Sequence, residues 1–200
     1  MAENRSLRHQ PFVSTALVAV NVIVFVLCLT ADDRLYAAGV LDVADVIDKG
    51  EYGRILFSLF LHADTEHLFN NMLILFFLGA MLEREIGHIC FGAFYFLSGI
   101  CGNLLSLLMK LLNNDAAASL GASGAIFGMD GVLLALVLFS GKKLDNVTPA
   151  RVVLMIVLSL YSGFTGGNID NAAHVGGLVT GFLAGSVMCA VRRGKAIESA

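Results

Sequence analysis

Gly121-Ala122-Ser123-Gly124-Ala125-Ile126-Phe127-Gly128 opens an apolar run that ends near Ser140, and Ala173-His174-Val175-Gly176-Gly177 opens another that ends near Val191. Both runs are uncharged apart from Asp130 in the first, and both begin on a polar side chain set among small residues. Gly124, Gly128 and Gly131 form a stripe beneath Ser123; Gly177, Gly181 and Gly185 form one beneath His174. Such small-residue stripes let helix backbones approach closely in lipid. If the stripes face each other, a serine and a histidine meet at hydrogen-bond distance, the arrangement of a nucleophile and its base. The competing reading is a helix N-cap serine and a histidine bonding a neighbouring helix.

Composition sets the solvent. Of 200 residues, 57% are hydrophobic and 14% charged, and mean hydropathy is +0.79. These values indicate an all-α polytopic membrane protein. A net charge of -3 and the lack of a basic run exclude nucleic acid as an expected partner. Cys28, Cys90, Cys101 and Cys189 stand singly in apolar stretches, without metal-ligand spacing. They read as small buried hydrophobes, and no metal or cofactor is expected.

Six spans are predicted, at about 13–30, 67–82, 89–112, 123–140, 152–164 and 172–191, within a single membrane domain over 1–200. The first is uncharged, has no small-residue cleavage site and reads as a retained helix. Lys110, near the end of the third, is expected to snorkel. In a six-span arrangement Arg5, Arg8, Arg84, Lys142, Lys143, Arg151, Arg192, Arg193 and Lys195 share one side, against Arg34, Lys49, Arg54 and Lys110 on the other. This bias places both termini in the cytoplasm and the 31–66 connection outside. Within that connection, Val43, Val46 and Ile47 suggest a helix lying half in the lipid interface, either a gate or substrate-approach surface or a simple amphipathic brace.

The alternation of spans has a consequence independent of any motif. His67 and Asn71, Ser123, and His174 all fall at or near the outer ends of their spans. Ser123 at a helix start would have unpaired backbone N–H groups and a positive dipole end beside it. His67 and Asn71, an i,i+4 pair, could add side-chain donors to an oxyanion, or could bond neighbouring helices.

These residues carry a resemblance. The two glycine-rich segments look like those of the rhomboid family of intramembrane serine proteases. His62, His67 and Asn71 reproduce that family's H-x4-H-x3-N spacing, Gly50-Glu51-Tyr52-Gly53-Arg54 is similar to its external-loop motif, and Glu83-x3-Gly87 to its E-x3-G. The resemblance runs from about Gly50 to Gly185. It implies a six-transmembrane-helix bundle in which Ser123 is the nucleophile and His174 the general base and acid. The oxyanion site would be the Ser123 N–H with His67 and Asn71, supported by Gly121, Gly124, Phe127, Arg54 and Glu83. It also implies transmembrane protein substrates cut near their outer ends, no cofactor, and a bacterial cytoplasmic membrane. An inactive client-binding relative and a small transporter are the alternatives. Two departures stand out. Gly53 replaces the usual tryptophan before Arg54, and Phe127 replaces a tyrosine expected to stack on the histidine.

Two acids need placing. Asp170 could orient the His174 imidazole, or could cap the sixth span. Asp130 lies about 10 Å below Ser123 and is expected to have a partner or be protonated, in a structural role.

Overall fold

The computed structural model describes residues 10–30, 34–141, 147–165 and 169–198; Arg5, Arg8, Lys142 and Lys143, used above to orient the chain, lie outside these. The described residues are helical, with one isolated antiparallel bridge between Leu41 and Ser119. In chain order the helices are α1 (Phe12–Thr30), α2 (Arg34–Gly39), α3 (Val43–Ile47), α4 (Arg54–Phe57), α5 (Thr65–Ile74), α6 (Ala80–Ile86), α7 (His88–Asn113), α8 (Ser123–Phe139), α9 (Pro149–Thr165) and α10 (Asn171–Glu198). A 3-10 turn, Ser58–Phe60, follows α4. A single π-helical turn, Leu75–Gly79, joins α5 to α6.

Among the described residues, four helical segments are long and apolar enough to cross a membrane: Phe12–Thr30, Thr65–Ile86, His88–Asn113 and Asn171–Lys195. α8 and α9 are apolar but shorter. Seventeen residues reach about 25 Å, somewhat less than a hydrocarbon core of about 30 Å. The chain is an integral, multi-pass membrane protein. Its exposed surface agrees, since Ile23, Val26, Leu29, Phe69, Phe77 and Leu183 are each about half exposed or more. An apolar surface of that extent would not be stable in water.

α8 is the centre of the bundle. From Gly124 to Val132 every residue is buried, and the helix is sandwiched between α7 and α10. Its closeness to α10 comes from glycine. A Cβ on Gly177 would lie 1.9 Å from the Gly124 carbonyl oxygen, and one on Gly181 would lie 1.8 Å from that of Gly128. The two stripes therefore do face each other. α9 packs on this core through Val152 and Ile156.

The end opposite Ser123 is locked by Glu83. Its buried carboxylate accepts the N–H groups of Val13 at 2.8 Å and Ser14 at 2.7 Å and pairs with His88. Two of the donors left over at the start of α1 are thereby satisfied. Gly87, with φ +91°, reverses the chain from α6 into α7 with no linker, which is the physical content of the Glu83-x3-Gly87 spacing.

The connection between α1 and α5 is a brace. Val46 is buried with Leu41 and Leu107, with Val43 and Ile55 packed beside them, so α3 rests on α7. Asp42 caps α3 by accepting the Asp45 N–H. Arg54, 7% exposed, donates to the carbonyls of Ala37 at 2.7 Å and Val40 at 3.0 Å and pairs with Asp45 and Glu51. Arg54 thus anchors this loop through its own folds, without the missing tryptophan.

Two expectations are corrected. Lys110 does not snorkel: it is 8% exposed and donates to the Ala117 carbonyl at 2.6 Å and to the Ser119 hydroxyl. The loop after α7 folds back over its ammonium and supplies the oxygens that water would have. Of the cysteines only Cys189 is buried; Cys28, Cys90 and Cys101 are half-buried, and all four are free thiols.

Candidate active site

Ser123 is the first residue of α8, and Ala122 before it makes no side-chain cap. The serine hydroxyl is therefore not spent as an N-cap. It lies 2.8 Å from Nε2 of His174. The close approach of α8 and α10 places both residues, since Gly124 lies one residue below Ser123 and Gly177 three below His174. Gly124 and Gly102 also admit the Ala173 carbonyl, where a Cβ would sit 3.3 Å and 2.6 Å away respectively.

The imidazole is held by packing. Phe127 stacks on it with ring centroids 4.3 Å apart and planes inclined by 17°, so the phenylalanine keeps the contact expected of a tyrosine. Nδ1 of His174 is buried with no hydrogen-bond partner among the described residues. Asp170 does not reach it. Its carboxylate instead caps α10, accepting the Ala173 N–H at 3.0 Å, and accepts hydroxyls from Ser106 and Ser119. Burial pushes this carboxyl upward, but those hydrogen bonds, with Lys110 3.8 Å away, hold it below its ordinary value.

His67 and Asn71 occupy the facing wall. Asp64 caps α5 by accepting the His67 N–H at 2.8 Å, which fixes the turn that presents both residues. Gly121, at φ +124°, brings the serine loop against His67: a Cβ there would lie 2.9 Å from the ring's Cε1 and Nε2. Its N–H is tied to the Ser58 carbonyl at 2.9 Å. His62, 3% exposed, packs edge-on against His67 at 5.0 Å. Burial, reinforced by the neighbouring His67, lowers His62 to about 4. Nδ2 of Asn71 is buried and has no partner among the described residues.

Ser123, His174, His67, Asn71 and Phe127 share one open cleft of about 1140 Å³. Arg54 and Glu83 do not line it. Arg54 sits in the brace, and Glu83 lies 16 residues after His67 on the same span, about 24 Å away. Asp130 is 5% exposed and lies outside the cleft lining, and its Oδ1 has no partner among the described residues. The sequence reading missed Ser106 and Ser119. The available signal was Lys110, a charge in an apolar helix that requires polar company.

The Rhomboid domain family model matches residues 49–191. The chain belongs to the rhomboid family. It is 40% identical over 156 residues to RHOMBOID-like protein 4 of Arabidopsis thaliana, covering 77% of this chain and 38% of that protein. It is similarly 40% identical over 151 residues to RHOMBOID-like protein 1 of the same plant, covering 74% and 38%. Rhomboid protease GluP of Bacillus subtilis (strain 168) is 36% identical over 143 residues, covering 72% of this chain and 27% of that one. The chain thus spans well under half the length of these relatives. Family membership accounts for the order of the motifs from Gly50 to α10, and a family containing a protease supports proteolysis at the family level.

Proposed function

We propose that the protein is an intramembrane serine endopeptidase that cleaves transmembrane segments of other proteins near their outer ends. The observation that carries this reading is the 2.8 Å contact between Ser123 Oγ and His174 Nε2 at the floor of an open cleft. Ser123 is the nucleophile and His174 the general base. For Nε2 to accept the hydroxyl proton, the neutral imidazole carries its own proton on Nδ1.

Ser123 Oγ bonds to the scissile carbonyl carbon as its proton passes to Nε2. The carbonyl oxygen gains the negative charge. The uncapped N-terminus of α8 offers the Ser123 N–H to that oxygen, and the unpartnered Nδ2 of Asn71, with His67 across the loop, completes the donor set. Collapse breaks the C–N bond, and Nε2 returns the proton to the departing amine. Water then attacks the acyl-serine by the reverse sequence, giving a carboxylic acid product and free Ser123. Phe127 keeps the imidazole in plane through both halves.

In this reading α8 and α9 join the four longer helices as six spans within one domain over 1–200. Both termini are cytoplasmic, the cleft opens outward, and the site uses no metal or cofactor. A bacterial cytoplasmic membrane is the proposed location.

A fluorophosphonate probe tests the nucleophile. Peptide mapping should find the adduct on Ser123, with labelling lost in His174→Ala. Labelling that persists at Ser123 without His174, or that maps elsewhere, would remove the proposed pairing.

A further inference from the structure

We propose that Asp170 is a positioning residue: its carboxylate ties the first turn of α10, which carries His174, to the loop that delivers Ser123. The inference rests on the protease reading above and adds what sets the distance between the two reacting groups.

The need for such a device is visible in the site. Nδ1 of His174 has no partner among the described residues, so none of them orients the ring by a hydrogen bond from behind. The position of Nε2 then depends on the α10 backbone and on the Phe127 stack. Asp170 controls that backbone twice, through its Oδ1, which accepts the Ala173 N–H at 3.0 Å, and through its own carbonyl, which accepts the His174 N–H at 3.2 Å.

The other half of the carboxylate reaches the serine loop. Oδ2 accepts the hydroxyls of Ser119 and of Ser106 on α7. Ser119 is itself fixed, exchanging both backbone hydrogen bonds with Leu41 at 2.8 Å and 2.9 Å. Four residues later the chain arrives at Ser123. Lys110 closes the group from below, bonded to Ser119 and to the Ala117 carbonyl, and balances the buried charge. One carboxylate therefore spans three elements, two of which carry the reacting side chains. A cap alone would need only Oδ1.

The test uses the full chain in proteoliposomes with a fluorescent transmembrane reporter, measuring kcat, KM, the rate of fluorophosphonate labelling at Ser123, and Tm. Displacing His174 by about 1 Å is expected to cost on the order of 10²-fold. Asp170→Ala should lower kcat by roughly ten- to a hundredfold, with labelling falling in parallel and KM little changed. Asp170→Asn, whose amide oxygen can still accept the Ala173 N–H and whose Nδ2 can donate to the Ser119 hydroxyl oxygen, keeps both cap and tie and should recover much of that rate. Ser119→Ala keeps the cap but removes the tie, and should also reduce kcat; it serves where Asp170→Ala does not fold. Wild-type kcat in Asp170→Ala or in Ser119→Ala overturns the proposal, as does a loss that follows Tm alone and disappears on cooling. If the wild type neither cleaves nor labels at Ser123, the protease reading fails and takes this inference with it. If the wild type does both and Asp170→Ala matches it, only the positioning role fails.

Discussion

Gly177→Ala tests whether helix contact sets the Ser123–His174 geometry. The added Cβ would lie 1.9 Å from the Gly124 carbonyl oxygen and 2.8 Å from its carbon. Ordinary C···O contact begins near 3.3 Å, so α8 and α10 must part locally by about 1.4 Å. Neither obstructing atom is a flexible side-chain end; both are backbone, one residue from Ser123. Carried to the site, that separation stretches the 2.8 Å Nε2···Oγ contact to about 4 Å, beyond hydrogen-bond range. A misplacement of this size costs on the order of 10²-fold in rate. The assay is single-turnover cleavage of a transmembrane reporter, with fluorophosphonate labelling of Ser123 as a second readout. Gly194→Ala is the control: a Cβ there meets nothing within 4 Å, and activity should be unchanged. A Gly177→Ala protein with wild-type turnover would show that the stripes are mere packing, and that the reacting pair tolerates far more slack than the geometry allows.

Further outcomes follow from other parts of the site and brace. Asn71→Ala should lower kcat by roughly 10²–10³-fold while changing KM little, because an oxyanion donor acts in the transition state; unaltered turnover would refute that role. His62 is neutral when folded, lowered from 6.5 to about 4, so the unfolded chain binds the extra proton first as pH falls. Stability should be full above about pH 6.5, decline from there to pH 4 by roughly 3 kcal/mol, and then level off. Thermal unfolding against pH reads this slope, and His62→Leu should flatten it. Arg54→Ala leaves two carbonyls and two carboxylates without their shared donor and should cost roughly 3 kcal/mol. Limited proteolysis should then detect opening of the 34–60 brace before the helices α7, α8 and α10 are cut.

Ser123 and His174 were legible because their helices announce themselves twice, by polar starts and by glycines at helical spacing. The facing of the two stripes needed no long-range information beyond close-packing in lipid. His67 and Asn71 were legible as one face of one helix. Asp170 was harder. Its partners Ser106 and Ser119 are 64 and 51 residues away, and a single serine, in a helix or in a loop, carries little signal alone. Lys110 was misjudged for the same reason: a lysine near a span end usually reaches water, and only the fold-back of 114–119 brings oxygens to it. Glu83 showed its motif but not its partners, because the N–H groups it satisfies lie some seventy residues earlier. The π-helical turn at Leu75–Gly79 has no sequence signature here beyond Gly79, where α1 and α7 approach within 3.2 Å of an added Cβ.

The most direct measurement is cleavage of a fluorescent transmembrane reporter in proteoliposomes by the wild type and by Ser123→Ala. The account predicts product from the wild type alone, with the bond broken near the reporter's outer end. Equal product from both proteins, or none from the wild type across several reporters, would contradict it.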